Sequence, residues 1–140
     1  MSPIKRFDHV GITVADLDTV TAFFVGLGLE VEGRTFVESE FLDTVSGIPD
    51  SRTEIVMLRA LDGGSRIELA RFVRPDHTPG SPAAMPNELG LRNVCFEVDD
   101  LQAAVGLYPR ACASDNGPVA LGHGRPVKAL GVCPGRDAAR

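Results

Sequence analysis

The feature that most constrains this chain is a near repeat of one line of sequence, RFDHVGITVADLDTVT (residues 6–21) and GLRNVCFEVDDLQAAV (residues 90–105). At an offset of 84 residues His9 aligns with Asn93, Val10 with Val94, Ile12 with Phe96, Val14 with Val98, Asp16 with Asp100 and Leu17 with Leu101. In the first copy Val10, Ile12 and Val14 alternate with His9, Gly11 and Thr13, the period of two that marks a half-buried strand. His9 therefore belongs to the face turned away from the apolar one. In the second copy Val94, Phe96 and Val98 share one face and Asn93, Cys95 and Glu97 the other, so Asn93 occupies the position of His9. Each strand runs into an aspartate, Asp16 or Asp100, whose carboxylate suits the free N–H groups of a helix's first turn.

The first helix is expected to carry Leu17, Val20, Phe23, Phe24 and Leu27 over the Val10/Ile12/Val14 face and to stop at Gly26 or Gly28. Three further strands are predicted at Leu29–Val37, Thr53–Ala60 and Ser65–Phe72, the last two joined through Leu61-Asp62-Gly63-Gly64, a hairpin signal. EFLDTVSGIPDS, before the third strand, reads as a short helical turn ended by Gly47 and Pro49. Residues 6–72 thus spell a βαβββ module, residues 73–90 a proline-rich connector, and residues 91–140 the opening of a second module. In SRIELARF, Ile67 and Leu69 are expected to face the helix, which leaves Glu68 and Ala70 on the face of His9. The predicted fold class is α+β, with paired βαβββ modules curling a mixed sheet around a cleft and the second module incomplete.

The tail departs from this pattern. Of the 35 residues from Gly106 to Arg140, 20 are Gly, Pro, Ala or Arg, and none is Ile, Thr, Phe or Glu. That composition disfavours a sheet, and the tail carries a net +3 in a chain whose net charge is −5. A diverged end, or a stretch read out of frame, would have this composition. GHGRPVKAL (residues 122–130) is similar to a stretch near the end of methylmalonyl-CoA epimerases.

FDHVGITVADLD, IELARF and GLRNVCFEVDDL together resemble the vicinal oxygen chelate superfamily: the glyoxalase, bleomycin-resistance and extradiol dioxygenase proteins. The match extends to about residue 105. The resemblance implies a divalent ion (Mg²⁺, Mn²⁺, Zn²⁺, Ni²⁺, Co²⁺ or Fe²⁺) held by one residue from the first and one from the last strand of each module, which carries over to His9, Glu68 and Asn93. A carboxamide oxygen at position 93 suits a hard ion better than the imidazole-seeking metals. Glu97 is the last glutamate, so the fourth ligand has only Asp115 or Asp137 as substitutes, and no residue is assigned the proton transfer. The function implied is a metal-dependent isomerase, lyase or epimerase acting on a small molecule with two neighbouring oxygens. The alternative is a metal-free drug- or metabolite-binding protein.

Other expectations concern surroundings. The acidic balance, pI near 5.1, gives no electrostatic case for nucleic acid, and no apolar run approaches the about 20 residues of a membrane span. MSPIKRFDHV carries no apolar stretch of the secretory kind, and Cys95, Cys112 and Cys133 are an odd set with no close pairing. A cytoplasmic homodimer with reduced thiols is the expectation. His77 and His123 are expected at the surface.

Overall fold

Alternation of burial along β1 (His9–Thr13) follows the sequence: Val10 and Ile12 are half-buried, while His9, Gly11 and Thr13 are exposed. The structure, a computed structural model, describes residues 3–80, 87, 89, 90, 94–97, 103 and 129–132. It divides into two units, Met1–Thr78 and Pro79–Arg140.

In the first unit α1 (Leu17–Gly26) starts at Asp16, whose side chain accepts from the Thr19 N–H at 3.0 Å and from the Thr19 hydroxyl at 2.6 Å. Those bonds satisfy donors that a helix start leaves free and hold the Asp16 carboxyl below its ordinary range. The helix turns Leu17 and Phe24 inward, with Phe23 set edge-on to Phe24 at 5.2 Å between centroids. After Gly28 comes β2 (Glu30–Val37), then α2 (Glu40–Ser46), capped by the Ser39 hydroxyl and ended at Gly47, whose φ of 71° is the left-handed conformation that glycine adopts without Cβ strain. The Asp43 carboxylate accepts from the N–H groups of Asp50 and Ser51, both at 2.8 Å, and so ties α2 to the start of β3 (Arg52–Arg59). The turn at residues 60–64 closes with Gly63 N–H donating to Ala60 C=O, and β4 (Arg66–Arg74) follows.

The sheet order is β1-β4-β3-β2, with β1 parallel to β4 and the other neighbours antiparallel. This is the expected βαβββ arrangement. β4 runs two residues beyond the expected Phe72, because Arg74 pairs with Arg52 and its guanidinium donates to the Asp50 carbonyl at 2.8 Å and to Glu38 at 2.6 Å. α1 packs on β4 and β3. The core beneath it is Val56, Leu58, Ile67 and Leu69, each at most 4% exposed.

A polar layer continues this face towards the edge. Glu54, 4% exposed, accepts from Arg34 at 2.8 Å and from Arg71 at 2.7 Å, while Arg34 also donates to Asp18 of α1 at 2.6 Å. A buried carboxylate needs such partners to remain charged. Arg34 chiefly, then Arg71, hold the Glu54 carboxyl below its ordinary range.

In the second unit β5 (Val94–Glu97) pairs antiparallel with β6 (Ala129–Val132), in the register Val94↔Val132 to Glu97↔Ala129. This corrects the expectation that the tail composition keeps it out of a sheet. The proline-free segment between Pro126 and Pro134 contains Ala129-Leu130-Gly131-Val132, and a ladder needs only uninterrupted backbone donors and acceptors there. An average over 35 residues conceals such a segment. The expected second helix at Leu101 lies outside the described residues except for Ala103, which is helical. Among the described residues no helix is long and apolar enough to cross a membrane.

Candidate functional site

Glu68 is on the face of β4 opposite Ile67 and Leu69, as strand alternation requires. Its register partners are Gly11 on β1 and Met57 on β3. Two residues back along β4, Arg66 pairs with His9, so His9, Gly11, Thr13, Glu68 and Ala70 share the face that α1 leaves open. Gly11 keeps this surface low between the two polar residues. A Cβ there would sit 3.8 Å from the Glu68 carboxylate, in ordinary contact.

His9 and Glu68 are brought together: Nε2 lies 3.8 Å from Oε2, with the side chains 38% and 26% exposed. That separation is too long for a hydrogen bond. It matches two ligands on one ion, since bonds of about 2.0–2.2 Å to imidazole nitrogen and carboxylate oxygen place such atoms about 3–4 Å apart. The pair combines a neutral nitrogen with an anionic oxygen, a donor set suited to borderline divalent ions. Among the described residues no group of three or more His, Cys, Asp or Glu side chains is gathered for a metal. Asn93, the third residue expected here, lies outside the described residues.

The sequence reading missed Asp8. Its Oδ2 lies 3.0 Å from His9 Nδ1, and an ionised carboxylate can only accept, so Nδ1 is the donor. The His9 hydrogen bond, with the charges of Arg6 and Arg66 close by, holds the Asp8 carboxyl below its ordinary range. Strand alternation alone assigns Asp8 to the face opposite His9. Its place just before β1, where the pleat has not begun, lets its side chain turn to the ring. The signal available in the sequence was the adjacency of an acid and a histidine at a strand start. His77, expected at the surface, is half-exposed with Nδ1 2.9 Å from Asp76.

The profile of the Glyoxalase/Bleomycin resistance protein/Dioxygenase superfamily matches residues 8–128 of this chain. The chain belongs to that superfamily. A crystal structure of a glyoxalase family protein from Bacillus cereus superposes with a TM-score of 0.72 at 39% identity, over 75% of this chain and 70% of that one. The ethylmalonyl-CoA/methylmalonyl-CoA epimerase of Cereibacter sphaeroides is 34% identical over 128 residues, 89% of this chain and 86% of the relative. The uncharacterized protein YaeR of Escherichia coli is 31% identical over 106 residues, 75% of this chain and 70% of the relative. The superfamily match spans both β1, with His9, and β4, with Glu68, and runs on past β5.

Proposed function

We propose that this glyoxalase-superfamily protein is a divalent-metal-dependent epimerase acting on a malonyl-type thioester that bears a substituent between its two carbonyl groups. The observation that carries the reading is the approach of His9 Nε2 and Glu68 Oε2 on the open face of the sheet, in a chain 34% identical to an ethylmalonyl-CoA/methylmalonyl-CoA epimerase. A substrate of this class offers a carboxylate and a thioester oxygen as neighbours. The C–H between them is acidic because the charge left behind spreads over both carbonyl groups. Epimerisation removes that proton and returns one to the opposite face, so no oxidant or reductant is consumed.

His9 and Glu68 would hold the ion, which when bound supplies Lewis acidity to the two substrate oxygens. The His9 nitrogen brings no charge and the Glu68 carboxylate brings one, so the pair leaves a divalent ion its electrophilic character. The low surface at Gly11, with no side chain between these residues, leaves room for a substrate to approach.

Two measurements test this. The protein purified with added Co²⁺, Mg²⁺ or Zn²⁺ should carry stoichiometric metal, lost in His9→Ala and in Glu68→Gln. Incubated with methylmalonyl-CoA in heavy water, the loaded protein should introduce deuterium at the carbon between the carbonyl groups. Absence of metal under every supplementation, with tight binding of an intact ligand and no exchange, would overturn the proposal and establish a metal-free binding protein. The proposed assembly is a homodimer. β2 ends the four-stranded sheet, and among the described residues no strand covers its outer edge. A monomer by sedimentation at micromolar concentration refutes this.

A further inference from the structure

Behind His9 is a chain of polar contacts that crosses the whole sheet. The register of β2 against β3 shifts between Val31 and Gly33, leaving Glu32 as the extra residue of a bulge. Bulges re-aim side chains, and the Glu32 carboxylate here accepts from Arg66 at two points, Nε at 2.6 Å and Nη2 at 3.2 Å. Arg66 is held to Asp8 in turn: its backbone N–H donates to the Asp8 carbonyl at 3.3 Å, and its Nη1 lies 3.5 Å from Asp8 Oδ1. Arg6 donates to the same Oδ1 at 2.8 Å. Oδ2 is left to the imidazole at 3.0 Å.

We propose that Asp8, braced by Arg6, Arg66 and Glu32, is a positioning residue that keeps the His9 proton on Nδ1 and turns the Nε2 lone pair towards Glu68. This rests on the metal-holding reading of His9 and Glu68. A lone carboxylate–imidazole contact at a half-exposed site holds its geometry weakly, since two mobile side chains must be ordered for one solvated bond. The brace removes that freedom from the carboxylate: one oxygen is engaged by arginine and the other faces the ring. A neutral histidine free in water carries its proton mainly on Nε2, the atom that must be bare to ligate. Holding the proton on Nδ1 therefore prepares the ligand before an ion arrives, and a carboxylate behind a ligating imidazole also raises its basicity.

The test uses the full chain with ¹⁵N-labelled histidine rings, the His9 signals being assigned by their loss in His9→Ala. In the metal-free wild type, long-range proton–nitrogen correlations should show the Nδ1–H tautomer. Asp8→Ala should move it towards Nε2–H and weaken Co²⁺ binding by about 10- to 100-fold. Asp8→Asn, of equal volume and still an acceptor, should recover part of both, and Arg66→Gln should fall between it and the wild type. Circular dichroism confirms folding, and the Asn variant carries the comparison if the Ala variant does not fold. A neutral wild-type His9 ring protonated on Nε2 overturns the proposal. So do Asp8 variants that keep both the wild-type tautomer and the wild-type Co²⁺ affinity. A wild type with the Nδ1–H tautomer that takes up no Co²⁺ refutes the metal-holding reading itself, a separate and distinguishable failure that takes this role for Asp8 with it.

Discussion

Replacing Leu69 by alanine tests the site through the core, because the alternation of β4 that packs Leu69 inward is what presents Glu68 outward. Leu69 is fully buried and sits in register between Ile12 of β1 and Val56 of β3, so backbone ladders on both sides limit how far the gap can close. The substitution removes three carbons, about 2.4 kcal/mol at about 0.8 kcal/mol per buried group. A cavity that relaxes only partly raises the loss to about 3–4 kcal/mol, inside the usual range for such changes. In urea, with a slope of about 2 kcal/mol per molar, the midpoint should fall by about 2 M. The control is Leu61→Ala, the same chemistry in the β3–β4 turn at a side chain 74% exposed, which should change stability by no more than about 0.5 kcal/mol. The two midpoints are compared by circular dichroism. Equal losses would falsify the assigned faces, since a one-residue slip of β4 would turn Leu69 out and drive Glu68 into the apolar layer.

Two further outcomes follow from the same unit. Arg34 first, then Arg71, hold the Glu54 carboxyl below its ordinary value of 4.5, so the folded state binds its proton less readily than the unfolded chain. The resulting stability is complete above that value and is lost as the pH falls through the lower, folded one. Glu54→Gln should therefore be less stable at neutral pH and show a shallower decline into acid than the wild type. Parallel acid declines of the urea midpoint in the two proteins would refute this. Gly47→Ala should cost about 1–2 kcal/mol, because alanine meets Cβ strain at a φ of 71°. Gly33→Ala, on the exposed edge with open space around it, should stay within about 0.5 kcal/mol in the same denaturation assay.

Periodicity made the first module readable. The alternation of Val10 and Ile12 with His9 and Gly11, the Asp16 cap and the glycines of the turns are local signals, and each acts through its own few residues. The pairing of His9 with Glu68 across 59 positions was legible only as a shared face, since strand alternation assigns faces but not distances. The tail misled for the opposite reason. Its average composition is poor for strands, yet a ladder needs only one short uninterrupted stretch and a partner, and β5 supplies the partner for Ala129–Val132.

By itself, then, the sequence determined the elements of the first module, their order and which side chains leave the helix-covered face, because hydrophobic alternation and capping are settled within a few residues. Tertiary structure alone decided that β1 lies beside β4 in the register that sets Gly11 against Glu68, and so brings Nε2 of His9 to 3.8 Å from the Glu68 carboxylate. It alone turned Asp8 to the imidazole and braced it from Glu32 on the far strand through Arg66. Those contacts join residues that are distant in the chain or that follow no strand alternation, so their geometry depends on how the strands stack, and no local pattern encodes it.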